Sequence, residues 1–224
     1  MKQNVIILGG SKTNFSTLEE FSNQNHTKII VVDGSIDNVN KINKTMNCKA
    51  YCYDIKNERD SILKIALKEK IVGIYSLNDH GLKTASYIAK KMNLHGLSMS
   101  SCISALDKGF MRDVWSEIDI NQPKYLVIKK SEEIKTFAEK VGYPIVIKPT
   151  DCGGGGRGVF VIKNKDQIYF AYEFAKKITR NNDRFIIEKY IDGVETSVEV
   201  VMINGDLKII AYSHKYKPEL NTRV

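Results

Sequence analysis

Hydrophobic residues in the first part of the chain come in short runs separated by stretches with helical spacing. Strand-like runs cover residues 4–8, 28–33, 49–54 and 72–77. The spacing of amphipathic helices covers residues 15–24, 58–70 and 80–92. Because strands that alternate with helices form parallel sheets with right-handed crossovers, residues 1–95 are predicted to form a doubly wound α/β domain.

The pattern changes after residue 100, where strands follow one another directly as well as through helices. Strand-like runs cover residues 123–128, 143–149, 158–162, 184–191, 195–205 and 206–216. Helical spacing covers residues 104–118, 131–142 and 165–178. Gly142 is predicted to end the second of these helices, and Asn204-Gly205 is a strong hairpin signal. A domain boundary is therefore predicted near residues 95–120.

Composition narrows the classes of function. The net charge is +8, with 42% hydrophobic and 27% charged residues, which is typical of a soluble globular protein. The lysines are scattered through amphipathic segments and form no dense basic run with interleaved aromatic residues, which argues against nucleic acid as the main partner. The apolar run at the N-terminus is too short for a signal or membrane segment, so no membrane partner is expected.

The four cysteines, Cys48, Cys52, Cys102 and Cys152, are irregularly spaced and form no CxxC pair. This spacing argues against a zinc site or a disulfide framework and favours a reduced, cytoplasmic setting. Cys152 lies beside a run of glycines, but no histidine lies near it in the sequence. We therefore interpret it as a spacer in a loop and not as a nucleophile.

The turn after the first predicted strand does not match a dinucleotide-binding loop. It contains GGSKTN, which lacks the G-x-G-x-x-G spacing that a pyrophosphate site needs. Asp33 ends the second strand, where a ribose-binding acid would lie, but without the glycine fingerprint a helix cap or turn residue is favoured. Gly9, Gly10 and Ser11 remain weak candidates to face a ligand, because open α/β sheets bind ligands at the carboxyl ends of their strands.

The segment KPTDCGGGGRG, residues 148–158, places four consecutive glycines between a lysine and an arginine. Glycine lets backbone N–H groups approach an anion closely, and Arg157 adds a fixed positive charge. Lys148 would be unfavourable in a core, so it is predicted to face a polar cleft. Phosphate binding is favoured over an ordinary turn. The order of residues excludes a Walker A loop and a kinase glycine-rich loop.

Two acidic residues follow in IIEKYIDGVETSVEV. Glu188 and Glu195 lie in strand-like segments joined by Asp192-Gly193. A strand edge such as EKYI could bind an adenine ring, and a nearby carboxylate could accept hydrogen bonds from ribose. Alternatively, these charges alternate on the solvated face of a hairpin. The residues alone leave both interpretations open.

Taken together, DKGFMRDVW with INQPKY, then VGYPIVIKPTDCGGGGRGVFVI, then FIIEKYIDGVETSVEVV resemble the successive signatures of the ATP-grasp superfamily. Biotin carboxylase, the carbamoyl phosphate synthetase large chain and amino-acid ligases belong to this group. The resemblance implies an α/β protein with four parts. These are a Rossmann-like pre-ATP-grasp domain (1–95), a helical linker (96–120), an α+β small lid domain (121–190) and an incomplete start of the large grasp domain (191–224).

The resemblance also implies an ATP site. Lys108 and Lys148 match the nucleotide-binding lysines, and Glu195 matches the ribose-binding acid. The phosphate-covering flap corresponds to Gly153, Gly154, Gly155, Gly156, Arg157 and Gly158, with Arg157 as a phosphate stabiliser. The adenine linker, which binds largely through backbone groups, corresponds to Glu188, Lys189, Tyr190 and Ile191. Lys215 matches a basic residue near the triphosphate in some members, and His214 is a weaker candidate. Arg112 is interpreted as mainly structural, with a smaller chance of contacting phosphate.

The function implied is that of an ATP-dependent ligase, which activates a carboxylate as an acyl phosphate for attack by an amine. ATP and Mg²⁺ are the expected cofactors, with no metal ligands in this chain and the Mg²⁺ ligands beyond residue 224. Glu199 is not a substitute, because it lies on the strand beside the ribose acid. The partners expected are a nucleotide, an unidentified carboxylate and amine, and a second copy in a homodimer. The chain alone is expected to be inactive. The alternative is a non-catalytic ATP/ADP-binding module, which acts as a sensor or needs a second chain.

Overall fold

The computed structural model describes residues 3–10, 14–23, 27–151, 156–179 and 183–215, and it divides the chain into two compact units. The first unit is Met1–Leu106 and the second is Asp107–Val224. Among the described residues, no helix combines the length and the apolar character that crossing a bilayer requires.

The first unit contains a four-stranded parallel sheet with the strand order β3-β2-β1-β4. Its elements are β1 (Gln3–Leu8), α1 (Phe15–Ser22), β2 (Thr27–Asp33), α2 (Ile36–Thr45), β3 (Lys49–Cys52), α3 (Arg59–Lys68), β4 (Gly73–Ser76), a 3-10 turn (Asp79–Gly81), α4 (Leu82–Lys91) and α5 (Met99–Leu106). All four predicted strands are present, and so are the three predicted helices.

The sheet of the first unit is buried on both faces. Ile6 and Leu8 of β1 pack in one cluster with residues of α3 and α4. Ile7, between them, packs in another cluster with residues of α1 and α2. Since successive side chains of a strand point to opposite faces, the continuous apolar runs of β1 and β2 supply both cores. The doubly wound architecture predicted from the sequence is confirmed.

Helix α2 was not predicted, because its sequence is mostly polar. Only Val39 and Ile42 are buried among its ten residues. Ser35 caps the helix, with its hydroxyl oxygen accepting a hydrogen bond from the N–H of Asn38 at 3.3 Å. A cap and one narrow apolar stripe are sufficient here, because the helix packs against the strongly apolar strand β2.

The second unit contains a four-stranded antiparallel sheet with the order β5-β8-β6-β7 and a separate two-stranded hairpin. Its elements are α6 (Lys108–Glu117), β5 (Tyr125–Ile128), α7 (Glu132–Val141), β6 (Ile145–Pro149), β7 (Phe160–Ile162), a 3-10 turn (Lys165–Gln167), α8 (Ile168–Ile178), β8 (Phe185–Lys189), β9 (Thr196–Ile203) and β10 (Asp206–His214). The predicted α/β class, with a parallel-sheet unit followed by an α+β unit, is confirmed.

The core of the second unit lies on one face of its antiparallel sheet. Ile145 and Ile147 of β6 and Ile187 of β8 pack there against Phe137 of α7 and Ala171 of α8. Alternation along the strands therefore turns the side chains of Val146, Lys148, Ile186 and Glu188 to the opposite face. Gly142 ends α7 at a φ of 75°, as its position in the sequence predicted.

The single helix predicted over residues 104–118 is wrong, because two helices occupy this range. Asp107 has extended backbone angles, φ −124° and ψ 114°, and separates α5 from α6. One oxygen of its carboxylate accepts hydrogen bonds from the N–H groups of Gly109 at 2.9 Å and Phe110 at 3.1 Å. An aspartate that caps a new helix cannot at the same time continue the preceding one.

The β9–β10 hairpin turns at Asn204-Gly205, as predicted. Both turn residues have positive φ angles, 52° for Asn204 and 92° for Gly205, which suit the twist of the flanking strands. The apolar side chains of both strands are exposed, including Val198, Ile209 and Tyr212.

Candidate functional site

Lys148 lies on the face of the antiparallel sheet that α7 and α8 do not cover. Its strand neighbours Ile147 and Pro149 are buried, whereas Lys148 itself is half-buried. Its ammonium group lies 2.6 Å from Oε2 of Glu188 on the adjacent strand β8. Lys148 therefore avoids the core, as predicted, and its place in a polar cleft stays a prediction.

Glu188 is the most buried member of this environment, with 5% of the residue exposed. Its two carboxylate oxygens bind different cations: Oε2 contacts Lys148, and Oε1 accepts a hydrogen bond from Nε of Arg112 at 2.8 Å. The interpretation of Glu188 as a charge on a solvated hairpin face is therefore wrong. Its place in an adenine-binding linker stays a prediction.

These three side chains, Arg112, Lys148 and Glu188, are called the charge cluster below. Burial by itself raises the pKa of Glu188, but the charges and hydrogen bonds of Lys148 and Arg112 outweigh that effect and hold the pKa below its usual value. The carboxylate is therefore ionised at neutral pH, and the cluster carries two positive charges and one negative charge. Its net charge of about +1 suits an anionic ligand.

The start of α6 is fixed to the ends of two strands. The N–H of Lys108 donates to the carbonyl of Thr150 at 3.0 Å, and the N–H of Thr150 donates to the carbonyl of Arg184 at 3.2 Å. The guanidinium of Arg184 also lies 3.2 Å from the second carboxylate oxygen of Asp107. Lys108 therefore begins its helix beside the end of β6, where the glycine-rich segment starts.

Close packing holds α6 in this position. A Cβ atom at Gly109 would lie 2.9 Å from Cγ2 of Val127 on β5, so only glycine fits without a shift. One turn after Lys108, Arg112 reaches Glu188. Its guanidinium also lies 5.1 Å from the ring centroid of Trp115.

The glycine-rich segment is described in part. Cys152, Gly153, Gly154 and Gly155 lie outside the described residues, so the predictions that concern them remain predictions. Gly156 and Gly158 have positive φ angles of 66° and 73°, with the exposed Arg157 between them. A Cβ at Gly158 would lie 2.9 Å from two ring carbons of Pro149 and 3.1 Å from Cβ of Ile178. Packing and the positive φ angle therefore require glycine at position 158, independently of its predicted role in a flap.

The linker after β8 uses several of its groups within the protein. The ammonium of Lys189 donates to the carbonyls of Gly142 and Tyr143, each at 3.2 Å, and so binds the end of α7. The backbone N–H of Lys189 donates a hydrogen bond to the carbonyl of Lys124, and the backbone N–H of Tyr190 donates one to the carbonyl of Pro144. Backbone donation to an adenine ring would therefore fall to other groups, such as the N–H of Ile191.

Glu195 and Lys215 lie just outside the two ends of the hairpin and bind each other. Nζ of Lys215 is 2.8 Å from Oε1 of Glu195, and the N–H of Lys215 donates to the carbonyl of Glu195 at 2.9 Å. The pair is partly exposed, so it contributes little to stability by itself. His214 is exposed at the end of β10, consistent with a strand-surface residue. The predicted contacts of Glu195 with ribose and of Lys215 with triphosphate stay predictions.

In the first unit, Asp33 holds the turns at the carboxyl ends of the strands. Its carboxylate accepts hydrogen bonds from the N–H of Gly10 at 2.7 Å, the N–H of Ser35 at 2.8 Å and the side chain of Asn38 at 3.1 Å. The interpretation as a turn residue, favoured over a ribose acid, is supported. Gly9 adopts φ +90°, and Ser11 lies outside the described residues.

Within the described ranges, no group of three or more His, Cys, Asp or Glu side chains is arranged to hold a metal ion.

Arg112, interpreted from the sequence as mainly structural, is joined to Glu188, 76 residues away in the chain. The spacing of Lys108 and Arg112 on one helix face was visible in the sequence, but the carboxylate that pairs with Arg112 was not.

Comparison with known proteins supports the resemblance found in the sequence. Residues 113–217 match the family model of the ATP-grasp domain. This range includes Lys148, Glu188, Glu195 and Lys215, whereas Lys108 and Arg112 precede it. The identification of an ATP-grasp domain is confirmed.

Two curated relatives are similar to this chain. It is 28% identical over 167 residues to the formate-dependent phosphoribosylglycinamide formyltransferase of Methanocella arvoryzae, covering 70% of this chain and 37% of the relative. It is 28% identical over 149 residues to the phosphoribosylamine–glycine ligase of Fusobacterium nucleatum, covering 62% of this chain and 34% of the relative. The chain thus spans about a third of the length of these relatives.

A solved structure shares the fold. The N5-carboxyaminoimidazole synthetase of Staphylococcus aureus, crystallised with ADP, superposes with a TM-score of 0.76 at 16% identity, covering 97% of this chain and 56% of that one. At this identity the likeness concerns the fold, and it extends over both units of the chain.

The charge cluster predicts a dependence of stability on pH. In the folded state the pKa of Glu188 lies below the value of about 4.3 that an unfolded chain gives. The ionised carboxylate therefore stabilises the fold at neutral pH, and this contribution is lost as the pH falls from about 4.3 through the lower, folded-state pKa. We expect Glu188→Gln to lower the free energy of unfolding by roughly 3 kcal/mol at pH 7, because it leaves two cations uncompensated.

The measurement is the melting temperature from pH 7 to pH 3. The curves of the wild type and Glu188→Gln should approach each other as the pH falls below about 4.3, because protonation of Glu188 removes its contribution. Glu139→Gln, at an exposed position of α7, should follow the wild type throughout. An equal difference between wild type and Glu188→Gln at both ends of the range would contradict an ionised Glu188.

The backbone at Gly158 gives a second prediction. Gly158→Ala should lower the free energy of unfolding by about 1–3 kcal/mol, since the new Cβ meets a rigid proline ring at a φ that disfavours L-residues. Chemical denaturation measures this change. Gly193→Ala is the matched control, because open space surrounds that position, and its effect should stay within about 0.5 kcal/mol. Equal effects of the two substitutions would refute the packing argument.

Proposed function

Because residues 113–217 carry an ATP-grasp domain, we propose that this chain supplies the nucleotide-binding part of an ATP-dependent ligase. Such a ligase activates a carboxylate as an acyl phosphate, and an amine then displaces the phosphate. The observation that carries the proposal is the charge cluster, in which Lys148 lies, within an ATP-grasp domain, on the face of the sheet that α7 and α8 do not cover.

The chemistry of the cluster suits phosphate. The ammonium of Lys148 is held at 2.6 Å by a carboxylate whose second oxygen is already bound to Arg112, so a positive charge remains for a ligand. Lysine binds phosphate as a compact point charge. In phosphoryl transfer the protein contributes mainly positioning and electrostatic stabilisation, and a fixed cation supplies both.

The remaining roles follow from the family resemblance. In the proposal, Lys108 and Lys148 contact phosphate, and the segment from Gly153 to Gly158 with Arg157 covers the triphosphate and excludes water. Residues 188–191 contact adenine. Glu195 binds ribose, and Lys215 lies near the triphosphate. Since Glu195 and Lys215 bind each other here, nucleotide must share or replace that ion pair.

Magnesium ordinarily bridges nucleotide phosphates, with one or two carboxylates as protein ligands. The described residues contain no cluster of three metal-binding side chains, so no step is assigned to a metal in this part of the protein.

The relatives support a ligase in two ways. One is named as a ligase of phosphoribosylamine and glycine, and one solved structure of the same fold contains ADP. The acid and the amine used by this protein are not specified by either comparison, and they form the open part of the proposal.

Nucleotide binding is the first test. We expect the chain to bind ADP, and we expect Lys148→Ala to weaken that binding by about 10- to 100-fold, because a charge-assisted contact with phosphate is lost. Lys135→Ala removes an exposed lysine of α7 and should leave the affinity unchanged. Titration calorimetry gives both values. If the wild type binds no ADP at millimolar concentration, the proposal fails.

Turnover is the second test, and it separates a ligase from a non-catalytic nucleotide-binding module. ATP, Mg²⁺ and a panel of carboxylic acids are supplied with hydroxylamine, which traps an acyl phosphate as a hydroxamate. A ligase releases ADP only when its acid is present and forms the matching hydroxamate. A binding module binds ADP in the first test and forms none with any acid. Residues 1–224 are predicted to bind ADP without turnover, so hydroxamate formation by this chain would contradict that prediction and would decide for the ligase.

A further inference from the structure

One carboxylate, that of Glu188, is shared by two cations from different elements of the second unit. Arg112 comes from α6 and contacts Oε1 at 2.8 Å, while Lys148 comes from β6 and contacts Oε2 at 2.6 Å. The two cations therefore bind different oxygens and do not compete for the same lone pairs. Each has a defined position on the carboxylate.

We propose that Arg112 is a positioning residue of the nucleotide site, which acts on Lys148 through Glu188. By holding one oxygen of the carboxylate, Arg112 prevents Glu188 from neutralising Lys148, and the ammonium group stays available to phosphate. This inference rests on the proposed function, in which Lys148 contacts phosphate.

Charge balance is the first argument. With all three side chains ionised, the cluster carries two positive charges and one negative charge. Without Arg112, the pair of Lys148 and Glu188 is neutral, and the carboxylate is free to engage the ammonium with both oxygens. A neutral pair attracts an anion much less than a cluster with one excess positive charge, above all where water is partly excluded.

The geometry of Arg112 is the second argument. Its side chain is 15% exposed, and its guanidinium packs near the ring of Trp115, so it is held within the fold. The carbonyl of Arg112 also accepts a hydrogen bond from the side chain of Gln122 at 3.0 Å. The Nε–H, the donor nearest the stem of the side chain, points to Glu188. An arginine anchored in this way sets the position of the carboxylate.

The helix that carries Arg112 is the third argument. The N-terminus of α6 is joined to the end of β6 by the hydrogen bond from Lys108 to Thr150 and to Arg184 by the Asp107 carboxylate. Gly109 packs directly on Val127. The distance between Arg112 and the strands that carry Lys148 and Glu188 is therefore set by backbone contacts, so the cluster is built before any ligand arrives.

The test is a double-substitution cycle read out by calorimetric titration with ADP and with adenosine at constant ionic strength. The variants are Arg112→Ala, Glu188→Gln and the two combined. Arg112→Ala should weaken ADP binding about tenfold and adenosine binding less than about twofold, because only ADP carries phosphate. When Glu188→Gln is already in place, adding Arg112→Ala should weaken ADP binding less than about threefold, since no carboxylate remains to neutralise Lys148.

Arg112→Lys keeps the charge and tests whether a cation at this position is sufficient. It should bind ADP more tightly than Arg112→Ala, although it loses the planar geometry of the guanidinium. Melting temperatures identify any variant that is not folded at the temperature of the titration. If Arg112→Ala is not folded at that temperature, Arg112→Lys replaces it in the test. The affinities of Arg112→Lys and the wild type are then compared, first for ADP and then for adenosine.

Four results would overturn the inference. Equal losses for ADP and adenosine would mean that Arg112 has only a structural role. A tenfold loss of ADP affinity that is the same with and without Glu188→Gln would mean that Arg112 contacts phosphate directly. If Arg112→Ala binds ADP as tightly as the wild type while Lys148→Ala binds it more weakly, the inference is refuted and the proposed function is left intact. If the wild type binds no ADP, both the inference and the proposed function are refuted.

Discussion

A carboxylate that is 5% exposed has lost most of its hydration, and in Glu188 two cations replace the lost water. A buried charge is tolerated only when it is paired, so α6, β6 and β8 have to keep their relative positions as long as Glu188 is ionised. The same constraint determines the chemistry of the site. Lys148 is held in place without being fully neutralised, because Arg112 takes the second oxygen.

The surroundings of the cluster are built from regular elements and close backbone contacts. Asp107 caps α6 and binds Arg184, and the backbone of Thr150 joins the helix to the ends of two strands. Gly109 and Gly158 lie where a Cβ would overlap a neighbouring side chain. The candidate site therefore rests on a rigid frame, and the glycine-rich segment is attached to that frame at Pro149 and Gly158.

The two units use their sheets differently. In the first unit both faces of the parallel sheet are apolar and covered by helices, and the polar groups gather at the carboxyl ends of the strands around Asp33. In the second unit α7 and α8 cover one face of the antiparallel sheet, and the opposite face carries Lys148 and Glu188. Because α6 brings Arg112 to that opposite face, a charged side chain of the sheet can be paired there, whereas both faces of the parallel sheet are packed with apolar side chains.

Local patterns in the sequence were sufficient for most of the elements. Apolar runs, the turn at Asn204-Gly205 and the stop at Gly142 depend on neighbouring residues, and they identified each strand in the part of the chain that the structure describes. The same reasoning missed α2, whose sequence is mostly polar, and joined α5 to α6, because Asp107 looks tolerable inside a helix until its backbone angles are known. Ordered motifs identified the ATP-grasp domain, and the cost of burying a lysine in a core predicted that Lys148 avoids it. The pairing of Glu188 with Arg112 and Lys148 was decided by tertiary structure alone. It depends on which strands are neighbours and on where α6 packs, and contacts between residues as far apart as 76 positions leave no periodic signal in the chain.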